Sequence, residues 1–218
     1  NITALSANWK VIATGKFTAG TGRADRILVQ DDATQDLKVI NQLTGAALDF
    51  PFSVQPGAGW QAIDTGDFNG DAASDVLLQD GAGNAKIMFM DGSTGMVLSQ
   101  AGITAPAGYD AISGGDFDGN GKSDILWQDS ATGDIQLSLM DGATTAGSAS
   151  FSPGASFVAI GTGDFNNDGH SDILFSDGVE HAAIWLMNGA SHIGTVAIAG
   201  PTDPGDWEIA GAQDMNDD

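Results

Sequence analysis

Short apolar runs broken by Gly- and Asp-rich turns recur along the chain. None keeps a helical 3.6-residue apolar period between capping residues. The runs repeat as a set, and a set-wise repeat outranks any local reading. An aromatic residue opens WQAIDTGDFNGDAASDVLLQD at Trp60, YDAISGGDFDGNGKSDILWQD at Tyr109 and FVAIGTGDFNNDGHSDILFSD at Phe157. A weaker copy starts at Trp9 (WKVIATGKF, then RILVQD), and Trp207 opens a partial fifth, WEIAGAQDMNDD. Successive opening aromatics stand 48 to 51 residues apart. The second halves repeat too: KIMFMDGSTGMVL from Lys86, IQLSLMDGATTAG from Ile135 and AIWLMNGASHIG from Ala183.

Each copy predicts four short strands. The first starts at the aromatic and ends in a Gly-Asp-Phe turn. The second is an apolar run such as Ile125-Leu126-Trp127, closed by Gln-Asp. The third reads Ile-x-Leu-x-Leu-Met and ends in Asp-Gly or Asn-Gly, a hairpin signal. A weaker fourth leads to the next aromatic. Four strands in about 50 residues cannot close a sandwich core, but they match a propeller blade. The expected fold is therefore all-β, a β-propeller of about four four-stranded blades. The alternative is a piece of a larger, for example seven-bladed, ring. Residues 1–218 form one repeat domain, with repeats at 9–59 (degenerate), 60–108, 109–156, 157–206 and 207–218 (partial). Ile2–Ala7 and Trp207–Asp214 are candidates for strands that help close a ring.

Composition narrows the chemistry. Absence of Cys removes disulfides, thiolate metal sites and a Cys nucleophile. A formal charge of −22 argues against nucleic acid and anionic membrane surfaces, which need cations. No apolar run reaches the roughly 20 residues of a membrane span. All acidic residues except Glu180 and Glu208 are Asp, which favours turns and short metal loops over helices.

The acids concentrate in one loop of each repeat, just after its first strand. The second repeat carries Asp67, Asn69, Asp71, Ala73 and Asp75 at loop positions 1, 3, 5, 7 and 9. The third carries Asp116, Asp118, Asn120, Lys122 and Asp124, and the fourth Asp164, Asn166, Asp168, His170 and Asp172. Hard oxygen donors at alternate positions of a tight loop suit Ca2+, which accepts six to eight oxygens including carbonyls. Position 7 then offers only its carbonyl, so Ala73, Lys122 and His170 are equally acceptable there. Mg2+, which keeps its waters, and Zn2+, which wants Cys or clustered His, fit less well. About three Ca2+ ions are expected. Position 4 is Gly70, Gly119 or Asn167, residues that tolerate positive φ. Position 6 is Gly in two loops and Ala72 in the other, which should weaken that site. Asp124→Ala is expected to remove one ion and to lower the melting temperature only when Ca2+ is present.

The first repeat is an internal control. Alignment places Lys16 at position 1 and Arg26 at position 9, so this loop should not bind Ca2+. Residues 1–59 are formally neutral, and all the excess negative charge lies from residue 60 onward. The fifth loop offers Asp214, Asn216 and Asp218 but has no position 9.

These features, GDFNGDG-x-x-D-[IV]-L with an aromatic six residues before its Gly and a following W-x-MNG, resemble the FG-GAP/VCBS repeats of integrin α-subunit propellers and secreted bacterial proteins. The resemblance spans Trp9 to Asp218. It implies a β-propeller with Ca2+ in the loop after a blade's first strand. It also implies an extracellular or cell-surface setting with a role in adhesion or ligand binding.

Catalytic groups are sparse. His170 lies in an acidic loop, and His181 and His192 read as surface residues near a hairpin. No G-x-S-x-G elbow occurs. The Asp residues obey the repeat, whereas a catalytic pair usually breaks it, so no enzyme activity is expected. The opening aromatics read as packing between blades rather than sugar platforms. Trp127, Trp185, Met90, Met140 and Met187 read as core. The expected function is a non-catalytic, calcium-binding module of a secreted or surface protein with a protein or glycan ligand. Alternatives are a calcium-dependent lectin and an accessory domain of a secreted enzyme. No nucleic acid or membrane insertion is expected, and self-association is expected if the propeller is open.

Overall fold

The computed structural model describes residues 8–17, 26–41, 55–92, 94–178 and 181–199. Ile2–Ala7, Trp207–Asp214 and the partial fifth loop lie outside these residues. Among the described residues every regular element is a strand. They are β1 (Trp9–Gly15), β2 (Arg26–Asp31), β3 (Leu37–Asn41), β4 (Trp60–Gly66), β5 (Asp75–Asp80), β6 (Ala85–Met90), β7 (Val97–Ile103), β8 (Asp110–Gly115), β9 (Asp124–Gln128), β10 (Ile135–Asp141), β11 (Thr144–Phe151), β12 (Val158–Gly163), β13 (Asp172–Ser176), β14 (His181–Asn188) and β15 (Ser191–Ala199).

The strands form four antiparallel meanders, ordered β1-β2-β3, β4-β5-β6-β7, β8-β9-β10-β11 and β12-β13-β14-β15. The chain is thus an all-β protein of four β-propeller blades, the first described through three strands. Asn1–Ala105 with Asp141–Thr144 form one compact unit, and Pro106–Met140 with Thr145–Asp218 form another.

Burial runs from inside to outside of each blade. The second strands are buried on both faces, as Asp75–Gln79 and Asp124–Gln128 show. Their unbroken apolar runs follow from that double cover. The outer strands β7 and β11 are largely exposed. In the first unit Phe17, Leu28, Leu37 and Val39 pack against Ala62, Val76, Leu78 and Met88, with Trp60 at the margin. In the second unit Phe117, Leu126, Ile135 and Leu137 meet Ala159, Ile173, Phe175 and Met187, with Phe157 at the margin. The blades of each unit therefore share one core. Each fully buried Phe or Leu there is worth about 1.5–3 kcal/mol. Trp60 and Phe157 take the packing role expected of the opening aromatics. Lys86 Nζ lies 4.1 Å from the Trp60 ring centroid, and Lys38 Nζ lies 4.2 Å from that of Trp9. Trp127, Met90, Met140 and Met187 are buried, while Trp185 is half-buried and stacked on His192.

Two features set the position of the loops. Each first strand carries a β-bulge at the same place, beside Ile12, Ile63, Ile112 and Ile160. A bulge adds local twist and bends its strand. A buried Gln at the end of a second strand also clamps the next blade. Gln30 donates to the Trp60 carbonyl at 2.9 Å and accepts from the Ala62 amide at 2.9 Å. Gln128 makes the same pair with Phe157 (3.0 Å) and Ala159 (2.9 Å).

Candidate metal centre

In the second, third and fourth repeats the acidic loop runs from the end of the first strand to the first residue of the second. Gly66 pairs with Asp75, Gly115 with Asp124 and Gly163 with Asp172. The first repeat pairs Gly15 with Arg26 in the same register. Arg26 therefore stands where the other loops place their final carboxylate, and Lys16 follows Gly15 as Asp116 follows Gly115.

The loop is organised around its first residue. Asp116 Oδ1 accepts from the amides of Gly119 (2.8 Å) and Asn120 (3.1 Å), and its Oδ2 from Gly121 (2.8 Å). Asp67 does the same with Gly70, Asp71 and Ala72, and Asp164 with Asp168 and Gly169. Amides at positions 4 to 6 face the carboxylate because positions 4 and 6 take positive φ. These are Gly70 (80°) and Ala72 (65°), Gly119 (72°) and Gly121 (82°), and Asn167 (58°) and Gly169 (85°). Ala72 is thus held in a conformation that costs an L-residue about 1–2 kcal/mol. At position 7 the amides of Ala73, Lys122 and His170 donate to the position-5 side chains Asp71, Asn120 and Asp168.

The last residue is buried. Asp75, Asp124 and Asp172 are fully inaccessible. Asp124 Oδ2 accepts from the Phe117 amide (2.9 Å) and Oδ1 from the Met140 amide (2.7 Å). Asp75 bonds Phe68 and Met90, and Asp172 bonds Phe165 and Met187, in the same way. Burial pushes the carboxyls of Asp75 and Asp124 up to about 7, against the pull of these amides. The two other loop carboxylates in each case push the same way. The Asp172 carboxyl is raised for the same reasons. Such groups gain from a cation that offsets both burial and like charge.

The three loops differ in how closely their acids converge. Among the described residues one acidic group has the geometry to share an ion, Asp116, Asp118 and Asp124, with one oxygen from each lying within 4.8 Å of the others. Oxygens around one Ca2+ at 2.3–2.6 Å stand no more than about 5 Å apart. The donor set and its spacing therefore fit a hard divalent cation. In the other two loops the position-3 amide turns its NH2 onto the position-5 acid: Asn69 Nδ2 donates to Asp71 Oδ2 (3.3 Å), and Asn166 Nδ2 to Asp168 Oδ2 (2.9 Å).

A family model for the FG-GAP-like repeat matches residues 67–127 and 116–175, from the acidic loop of one blade to the second strand of the next. The chain belongs to the FG-GAP-like repeat family. No curated protein matches the chain.

The FG-GAP-like loops include a residue that the spacing of acids does not reveal. Position 8 is Ser in all three. The Ser171 amide donates to the Asp116 carbonyl at 2.7 Å, and the Ser74 amide to the Lys16 carbonyl at 2.8 Å. The Gly that ends the preceding blade's first strand makes room, since a Cβ on Gly115 would fall 2.8 Å from Ser171 Oγ. Recurrence of Ser at position 8, paired with that Gly, is the signal that marks this contact. His181 and His192 are exposed and lie outside the loops.

Proposed function

We propose that this FG-GAP-like propeller module binds Ca2+ in its acidic loops and presents its surface to a protein or glycan ligand outside the cell, without catalysis. The observation that carries this reading is the convergence of Asp116, Asp118 and Asp124 within a loop of the matched repeat. Asp116, Asp118, Asn120 and Asp124 would hold one ion through side chains, with the Lys122 carbonyl. The equivalent residues Asp67, Asn69, Asp71, Ala73 and Asp75 would hold a second, and Asp164, Asn166, Asp168, His170 and Asp172 a third. Ca2+ supplies charge neutralisation, and the loops supply oxygens on a backbone already curled to receive it. Millimolar Ca2+ outside cells fills even sites of roughly 10⁻⁴–10⁻³ M affinity, which supports the extracellular assignment. Recurrence of the acids in register supports a scaffold role over a catalytic pair.

The test compares thermal melts in millimolar Ca2+ and in chelator, followed by glycan-array and protein-capture screens under both conditions. The reading expects a higher melting temperature with Ca2+ and ligand binding that chelation abolishes. Equal melts in both conditions would contradict the metal role. Turnover of a substrate by the isolated chain would contradict the non-catalytic one.

A further inference from the structure

We infer that the Ca2+ sites of the third and fourth repeats are energetically coupled, so that filling either loop strengthens the other. This deepens the reading above and rests on it. The two loops are joined through main chain at their ligand-bearing residues. The amide of Ser171, which follows the position-7 residue of the fourth-repeat loop, donates to the carbonyl of Asp116, position 1 of the third. His170 Nδ1–H donates to the Phe117 carbonyl, position 2, at 2.9 Å. The same carbonyl accepts the Gly189 amide at 2.7 Å, from the turn that follows β14.

The contact is also steric. A Cβ on Gly119, position 4 of the third-repeat loop, would fall 2.9 Å from His170 Cε1. The imidazole therefore rests on the segment that curls around Asp116. An ion that fixes Asp116 and its neighbours also fixes two acceptors for the fourth-repeat loop. The second ion then meets a loop that has already lost part of its freedom, which is positive coupling through ordering. Repulsion between the ions opposes this, but with Ca2+ bound the third-repeat loop, which includes Lys122, is formally neutral and the fourth keeps one negative charge, and salt at 0.15 M screens over about 8 Å. Ordering should dominate at that ionic strength.

The first unit supplies the contrast. There Ser74 makes the same amide contact, but to Lys16 in the loop that lacks end carboxylates. Its partner loop has no ion to receive, so the contact transmits nothing.

The test is a calorimetric Ca2+ titration of the full chain at 0.15 M salt. In an Asp71→Ala background the third- and fourth-repeat sites remain. Adding Asp168→Ala isolates the third site, and adding Asp118→Ala instead isolates the fourth. Coupling of ordinary size predicts that each isolated site binds at least about fivefold more weakly than with its neighbour filled. Linkage also requires the two factors to be equal, which unrelated local damage would not produce. His170→Ala offers a milder check, since Ala73 shows that Ala is accepted at position 7. It should keep both ions and reduce the factor. Unchanged affinities of the isolated sites would overturn the coupling while leaving the metal reading intact. Absence of Ca2+ binding by the unmutated chain would overturn both.

Discussion

The buried carboxylate of Asp124 accepts a 2.7 Å hydrogen bond from the amide of Met140, sixteen residues away on β10. Its other oxygen accepts from Phe117. Asp124 therefore fastens the loop to the third strand of its own blade, whether or not an ion is bound. Asp124→Ala leaves two buried amides without partners, at about 1–3 kcal/mol each. The expectation that this substitution acts only in the presence of Ca2+ is corrected accordingly. Melting temperature should fall in chelator as well as in Ca2+. Asp118→Ala, at a half-buried position where the side chain accepts the local Asn120 amide, should lower it in Ca2+ alone. Paired melts of the two variants distinguish these roles.

Ala72 gives a stabilising prediction. Its φ of 65° is occupied by Gly in the two other loops. Ala72→Gly relieves strain of about 1–2 kcal/mol and adds back roughly 0.4–1 kcal/mol of unfolded-chain entropy. A net gain of about 0.5–1 kcal/mol is expected, read by chemical denaturation. Calorimetry should also find tighter Ca2+ binding at the second-repeat loop. Loss of stability would show that the Ala side chain packs usefully there.

Protons and Ca2+ should compete near neutrality. Burial raises the Asp75 and Asp124 carboxyls from 3.8 to about 7 in the folded chain. Their protonated forms favour folding fully below 3.8, and that contribution disappears as pH rises through 7. Metal-free protein should therefore lose stability from these groups between about pH 4 and 7. Bound Ca2+ holds both ionised, so its apparent affinity should rise over the same interval, with protons released on binding. Titrations in buffers of different ionisation enthalpy measure that release. A flat affinity over that interval would contradict the prediction.

The Gln clamp is testable without metal. Gln128→Ala orphans the Ala159 amide and the Phe157 carbonyl, roughly 1–3 kcal/mol for each group. Denaturation in chelator should show the loss, while Ca2+ stoichiometry stays unchanged.

What could be read from the sequence was what recurs within a few residues. The blade repeat, the acidic loops, and the need for positive φ at Gly70, Gly119 and Asn167 all follow from local composition. So does the degenerate first loop, where Gly15 opposite Arg26 repeats the register of Gly115 opposite Asp124. What escaped was set by partners far along the chain. Gln128 was visible as strand closure, but its clamp reaches Ala159, 31 residues on. Asp124 was visible as a loop acid, but not as the acceptor for Met140. The bulges beside Ile63 and Ile112 are properties of a pairing, and residue alternation along one strand does not specify them. The convergence of Asp116, Asp118 and Asp124 depends likewise on side-chain direction. The Asn at position 3 of the other loops, bonded to its position-5 acid, shows how one exchanged residue alters it.

If the acidic loops hold Ca2+, the number of bound ions should match the number of complete loops. Equilibrium dialysis of the full chain against Ca2+ at physiological salt tests it most directly. About three ions per chain are expected, one for each complete acidic loop, with one lost in Asp118→Ala. None is lost with substitution of Lys16 or Arg26 in the first repeat. Absence of bound Ca2+ at millimolar free ion, with the strand content intact, would contradict it and leave the acidic loops as turns held by their own amides.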